Sequence, residues 1–385
     1  MNDTISIIGA GSWGSALALA LARSENLFSQ STEEREELRR PGARSITDVS
    51  PLSSCVPLAP CSSSASATLK TGSGRNILLW GHNAKRIAEI KTSRKNEDYL
   101  PGIIFPENIH LTNSLAEAAE AAVVFFVVPS KFFRTVVTSF VKAAPQASSR
   151  TIFVTCTKGI EHGTGKLMSE VLSEVIPTAS VAVLSGPNLA ADIARGLPAA
   201  GVIGGSKKSE LSWLQKIFHG TNYRLYTSSD MRGIQLGGAL KNIFAIAAGV
   251  CDGLGMGENA KAGIVTRSLV EMTRLGVAMG GHRKTFHGLS GIGDLMVTCF
   301  SKQSRNYQAG LKLCQGKSSM QIQDSMTMVA EGLATARNAQ ACARELGIDV
   351  PIIDQVVAVL DQKRSPSEAM GELLGRKQRE EEEGS

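Results

Sequence analysis

Residues Thr4 to Ile8 form a short apolar run that passes directly into Gly9-Ala10-Gly11-Ser12-Trp13-Gly14, then into the helix-forming run Ser15 to Arg23. Strand, glycine turn and helix in this order confine the start of the chain to a βα unit of a parallel sheet. Gly9 permits the tight turn, Gly11 lets backbone N–H groups approach an anion, and Gly14 allows close packing of helix on strand. The helix N-terminus then faces the anion with unpaired N–H groups and the positive end of its dipole. GxGxxG alone is common; between a strand and a helix it points to dinucleotide binding.

The next strand is read at Asn76 to Trp80, followed by Gly81-His82-Asn83 and a helix through Ile90. An Asp or Glu at the end of this strand ordinarily meets the ribose hydroxyls of NAD. Here His82 and Asn83 take that place, with Lys85 and Arg86 behind them, which favours NADPH with NADH as the alternative. The competing reading makes Lys85 and Arg86 the solvated face of the helix. Between the first helix and this strand, residues 24–75 are rich in Ser, with Pro41, Pro51, Pro57 and Pro60 and the charged run Glu33 to Glu37. Such connections usually take about 2–6 residues, and this composition buries little apolar surface. The segment reads as a disordered surface insertion.

Later apolar runs at Ala122 to Val128, Thr151 to Thr155, Val181 to Leu184, Ala199 to Ile203 and Tyr223 to Tyr226 read as further strands. Several alternate with helical patterns, which implies a mostly parallel sheet with ligand sites at the carboxyl ends of its strands. Pro129, Lys158 and Ser185-Gly186 stand at such ends, so Lys158 is a site candidate. From Met231 onward the pattern is helical, marking a second, all-α domain over 231–376 after an α/β domain over 1–230.

Within the helical part, Gly237 to Gly249 is almost wholly apolar yet carries Lys241 and Asn242 side by side. A buried ammonium is costly without partners and so marks chemistry; the alternative is a core helix whose Lys snorkels to water. Gly291-Ile292-Gly293-Asp294 is a glycine-loosened turn presenting an Asp, with Thr298 one helical turn further on the same face. Ser304-Arg305-Asn306 suits a phosphate, because a guanidinium fork binds its oxygens bidentately; equally, Ser304 suits a helix cap.

Hydrophobic residues make up 43% of the 385 and charged residues 20%, an ordinary globular balance that accommodates two domains. The net charge of +6 is dispersed and aromatics are 5%; no basic, aromatic-interleaved stripe points to nucleic acid. The seven cysteines are scattered without CxxC spacing, which argues against a disulfide framework or zinc site and for a reducing compartment. No apolar run reaches the ~18 residues of a membrane span, and no secretory signal is read at the N-terminus, so cytoplasmic location is the expectation. The end, Arg376 to Ser385, reads as a solvated charged tail.

Taken in order, GAGSWG (9–14), Cys156-Thr157-Lys158-Gly159-Ile160, SGPN (185–188), GALKNIFAIAAG (238–249), GIGDLMVTC (291–299), Ser304-Arg305-Asn306 and Val329-Ala330-Glu331-Gly332 resemble the bacterial-type NAD(P)-dependent glycerol-3-phosphate dehydrogenases. The resemblance covers the chain outside 24–75 and the acidic tail. It implies a Rossmann-type domain followed by a helical substrate domain, in a homodimer. It also implies reversible reduction of dihydroxyacetone phosphate to sn-glycerol 3-phosphate, supplying phospholipid synthesis. Lys241 would be the general acid/base, Lys158 would polarise the same carbonyl, and Asp294 would hold Lys241. Asn242 and Thr298 would lie near the substrate hydroxyls, with Gly186 and Asn188 on the substrate side. Arg305, Asn306 and Ser304 would take the phosphate. Beside the glycine loop, Ser12, Trp13, His82, Lys158, Ala190, Arg305, Val329 and Glu331 would meet the cofactor.

Two departures stand out: Asn188 where bacterial members usually carry Ser or Thr, and Leu189 where they carry Phe. The insertion also lies beside the adenine half of the cofactor site. Rival readings are another Lys-dependent hydroxy-acid dehydrogenase on the same plan, which lacks the Ser-Arg-Asn element, and a non-catalytic NADPH-binding sensor.

Overall fold

The computed structural model describes residues 4–24, 75–145, 151–326, 330–377 and 380. The insertion from 25 to 74, Val329, residues 378–379 and the tail 381–385 lie outside the described residues.

Eight strands form one sheet: β1 Ile5–Ile8, β2 Ile77–Trp80, β3 Ile109–Thr112, β4 Val123–Phe126, β5 Ile152–Thr155, β6 Ser180–Ser185, β7 Ala199–Gly205 and β8 Tyr223–Ser228. Their order is β3-β2-β1-β4-β5-β6-β7-β8. All neighbours run parallel except β6 and β7. β1, β4 and β5 are buried at every residue, as expected of strands covered on both faces. The apolar runs foretold every strand but β3. That edge strand carries an exposed His110 among four residues, too short and too mixed to read as a buried run.

Register makes the ligand edge. Ile8 pairs with both Trp80 and Phe126, and Phe126 pairs with Thr155. The strand ends are therefore level, and the loops after them share one rim. β1 lies between β2 and β4, where the strand order reverses, which is the ligand crevice of such sheets. Gly9 makes the crossing there with φ +130°; a Cβ on it would stand 2.4 Å from the Val127 carbonyl oxygen, so no other residue fits.

Beyond β8 every described element is helical. Asp230 caps the central helix Met231–Gly253 by accepting the Gly233 N–H at 2.9 Å. This helix is buried at every position from Gly233 to Cys251. It packs against Gly257–Ala278, Asp294–Phe300, Arg305–Cys314 and Glu331–Glu345. Contrary to the expectation from sequence, it is long and apolar enough to cross a membrane by length and composition; its apolar window is wholly covered by the rest of the protein. Leu240, Ile243, Phe244 and Ile246 are each at most 1% exposed; burial of each such side chain is worth ~1.5–3 kcal/mol.

Candidate active site

The central helix carries Lys241 into the core, where solvent reaches only 7% of it. Its ammonium meets the Asp294 carboxylate at 2.8 Å and donates to the Thr298 hydroxyl at 2.6 Å. Asp294 opens the helix Asp294–Phe300, straight after the π-helical turn Leu289–Gly293. Thr298, four residues on, lies on the same face and donates to the Asp294 backbone oxygen at 2.6 Å. From the sheet side Lys158, just past β5, reaches the other Asp294 oxygen and donates to the Gly186 carbonyl at 3.0 Å.

One carboxylate, itself 1% exposed, thus joins two ammonium groups from opposite parts of the fold. Burial lowers the pKa of Lys241 to about 8; Lys158 pushes in the same direction, while Asp294 holds it up. An amine in that range both gives and takes a proton near neutrality. Gly238 makes room for this arrangement: a Cβ there would lie 2.6 Å from Ser185 Oγ and 3.4 Å from Lys158 Cγ.

Asn242 is next along the helix, about 100° further round, and so faces a different neighbour. Its side-chain oxygen accepts from Asn306 at 2.8 Å, and the Asn306 oxygen accepts the Gly332 N–H at 2.9 Å. Ser304 caps the helix Arg305–Cys314 by accepting the Tyr307 N–H, which favours the cap over a phosphate ligand for its oxygen. Arg305 follows as the first residue of that helix, solvent-exposed. The protein around it nevertheless lowers its pKa by desolvation, against the pull of Glu331. The helix N-terminus adds a favourable end for an anion.

The glycine loop fits a dinucleotide. A Cβ on Gly14 would stand 1.8 Å from the Gly9 oxygen, whereas one on Gly11 would meet nothing within 4 Å. Gly14 is the packing glycine and Gly11 faces open space, as a pyrophosphate approach requires. No side chain caps the helix Ser12–Ala22, which leaves its first N–H groups suited to an anion. His82 and Lys85 are exposed past the end of β2. Asn83 caps the helix Ala84–Ser93, accepting the Arg86 N–H at 3.0 Å. Arg86 pairs with Asp98 at 2.7 Å and lies 4.2 Å over the Tyr99 ring, so it is more than a solvated face. Trp13 sits edge-on to Tyr223, Ala190 begins the helix Ala190–Ala194, and Glu331 accepts from Ser130.

On the substrate side Gly186 takes φ +133°, and a Cβ on it would stand 2.9 Å from the Gly201 Cα. Asn188 accepts from the Tyr223 hydroxyl at 2.6 Å, while its amide nitrogen and Ser185 Oγ are buried with no hydrogen-bond partner among the described residues. Donors in that state beside Lys158 suit a hydroxylated ligand. Ser130, Gly159 and Tyr223 were not singled out as site residues by the sequence. Ser130 and Gly159 follow strand ends, a signal available at that level; Tyr223 begins a strand and carries none.

Two family models account for most of the chain: the NAD-dependent glycerol-3-phosphate dehydrogenase N-terminus matches residues 64–211 and the corresponding C-terminus residues 230–371. The first match begins within the insertion, yet β1 and GAGSWG lie hydrogen-bonded beside β2 in the sheet. The chain is 41% identical over 313 residues to glycerol-3-phosphate dehydrogenase (NAD(P)+) of Fusobacterium nucleatum, covering 80% of this chain and 92% of the relative. To the enzyme of that name from Geobacillus kaustophilus it is 38% identical over 383 residues, covering 98% and 96%. The crystal structure of glycerol-3-phosphate dehydrogenase from Coxiella burnetii superposes with a TM-score of 0.79 at 32% identity, covering 97% of this chain and 99% of that one. A ketopantoate reductase from Ralstonia eutropha, at TM-score 0.51 and 16% identity, shares the fold alone. With the glycine cradle, the two lysines on one aspartate and the Arg-Asn segment already in place, these matches establish that the chain belongs to the NAD(P)-dependent glycerol-3-phosphate dehydrogenase family.

Proposed function

We propose that this protein catalyses reversible reduction of dihydroxyacetone phosphate to sn-glycerol 3-phosphate with NAD(P)H, and that Lys241 is its general acid/base. The observation that carries the residue assignment is the Asp294 carboxylate held between Lys241 and Lys158. The bound nicotinamide supplies the hydride in one direction and takes it back in the other. Lys241 donates the proton that ends on the ketone oxygen, and recovers it in the reverse reaction. As negative charge grows on that oxygen, the Lys158 ammonium stabilises it in a site with little water. Asp294 and Thr298 hold the Lys241 nitrogen in place. Arg305 and Asn306 take the phosphate, and the Asn188 amide and Ser185 hydroxyl serve the remaining polar atoms of the substrate.

Cofactor contacts run from the glycine loop through His82 to Ala190, Arg305 and Glu331. The absence of an acid at 81–83 and the exposed His82 and Lys85 support a preference for NADPH. We further propose a cytoplasmic homodimer that feeds phospholipid synthesis, with residues 1–230 as cofactor domain and 231–376 as substrate domain.

The test is oxidation of NADPH, and separately NADH, by dihydroxyacetone phosphate, on the parent protein and on Lys241→Ala. Turnover by the parent, faster with NADPH, and a loss of about 10²–10⁴-fold in the variant with cofactor binding retained is the expected result. Cofactor binding without turnover by the parent would overturn the assignment, and full activity of the variant would remove Lys241 from its role.

A further inference from the structure

The helix Ser130–Ala143 follows β4 at the ligand edge, and its cap position is Pro129, whose side chain cannot accept a hydrogen bond. The acceptor comes instead from the helical part of the chain. Glu331 takes the Ser130 backbone N–H on one carboxylate oxygen, at 3.0 Å, and the Ser130 hydroxyl on the other. A carboxylate at a helix N-terminus satisfies orphan donors and complements the dipole. Here those donors and that carboxylate are 201 residues apart.

This contact lies against the loop that carries Lys158. A Cβ on Gly159 would stand 2.6 Å from Ser130 Cβ and 3.5 Å from Glu331 Oε2, so the backbone beside Lys158 is packed on the pair. Thr157, on the other side of Lys158, donates to the Val128 carbonyl at 2.7 Å. Two turns along from Glu331 on the same helix face, Asn338 donates to the Ile160 carbonyl at 2.9 Å and meets His162 Nδ1 at 3.0 Å. The helix Glu331–Glu345 therefore grips the 157–162 loop at two points, while Gly332 at its start is bonded to Asn306 of the Arg305 segment.

We propose that Ser130 and Glu331 form a clasp between the sheet and the helical part that sets Lys158 against Asp294 and Lys241, which makes Ser130 a positioning residue of the reaction. This rests on the function proposed above for that site. Ser130 is hydrogen-bonded to Glu331 and to neither lysine; it acts through Gly159 and Glu331. The experiment measures kcat, KM and NADPH affinity for the parent, Ser130→Ala, Ser130→Thr, Glu331→Gln and the double variant Ser130→Ala/Glu331→Gln. Hydrogen exchange of residues 157–160 is measured alongside.

Loss of the hydroxyl contact to a carboxylate lowers kcat at saturating NADPH by about tenfold in Ser130→Ala and speeds exchange at 157–160. Ser130→Thr restores both readouts, and the double variant is no worse than the poorer single one, because the two side chains share one interaction. Parental kcat in Ser130→Ala, or losses that multiply in the double variant, would overturn the clasp. A parent without activity on dihydroxyacetone phosphate would sink the proposed function instead. The exchange data then judge the clasp alone: faster exchange at 157–160 supports it and unchanged exchange rejects it.

Discussion

Replacing Asp294 by Asn removes one charge and leaves shape and volume almost unchanged. Both Lys158 and Lys241 then face a neutral amide in a site where Asp294 was 1% exposed and the Lys241 side chain 9%. Removing one partner of a buried ion pair costs about 3–5 kcal/mol, because the remaining charge is uncompensated. In Asp294→Asn that cost falls on the protonated, acid-competent form of Lys241. In kcat/KM for ketone reduction it corresponds to a loss on the order of 10²–10⁴-fold.

The pH profile carries the sharper signature. In the parent, reduction needs protonated Lys241, so its rate falls as pH rises through about 8, while oxidation of glycerol 3-phosphate rises through the same value. Asp294 holds that pKa up, so both limbs move to lower pH in Asp294→Asn, and acid restores part of the lost reduction. Steady-state rates in both directions across pH, with melting temperature as the control for folding, give the answer. Limbs that stay at the parental pH, or a loss below about threefold, would refute the coupling of Asp294 to Lys241.

Arg305→Ala removes the phosphate fork, so kcat/KM for dihydroxyacetone phosphate falls on the order of 10–100-fold, as for lost hydrogen bonds to a charged group. Measured at saturating NADPH, because Arg305 is also assigned to the cofactor, turnover of non-phosphorylated dihydroxyacetone is hardly affected; equal losses on both substrates under that condition would contradict the assignment. Gly238→Ala forces a methyl group to within 2.6 Å of Ser185 Oγ and against the Lys158 stem, an overpacking of about 1–3 kcal/mol. Melting temperature and kcat are expected to fall together. Glu271 accepts the backbone N–H groups of Ile352 and Ile353 at 2.9 Å each, and burial raises its pKa to about 7. The folded protein therefore holds that proton more tightly than the unfolded chain. The stabilisation is complete below the unfolded carboxylate value of ~4.3 and is lost as pH rises through about 7. Glu271→Gln flattens that part of the profile of melting temperature against pH; an unchanged slope would discard the reading.

The backbone plan of this protein is written locally. A strand, GxGxxG and a helix define a βα unit wherever they occur, since the turn and the helix N-terminus depend on residues a few positions apart. Buried parallel strands announce themselves as continuous apolar runs, which is why β1, β2 and β4 to β8 were legible and the mixed edge strand β3 was not. Lys241 and Asp294 were legible as chemistry because an ammonium inside an apolar run and an aspartate in a glycine turn are each conspicuous where they stand. What no local pattern contains is which groups meet. The register of the sheet brings Lys158 to the same carboxylate as Lys241, and the neighbours of the central helix turn Asn242 away toward Asn306. Ser130 stands after a strand end, which places it at the ligand edge, but only the folded chain places Glu331 over its N–H. Contacts between residues tens to hundreds of positions apart are fixed by packing and register, not by neighbours along the chain, and the tertiary structure alone decided them.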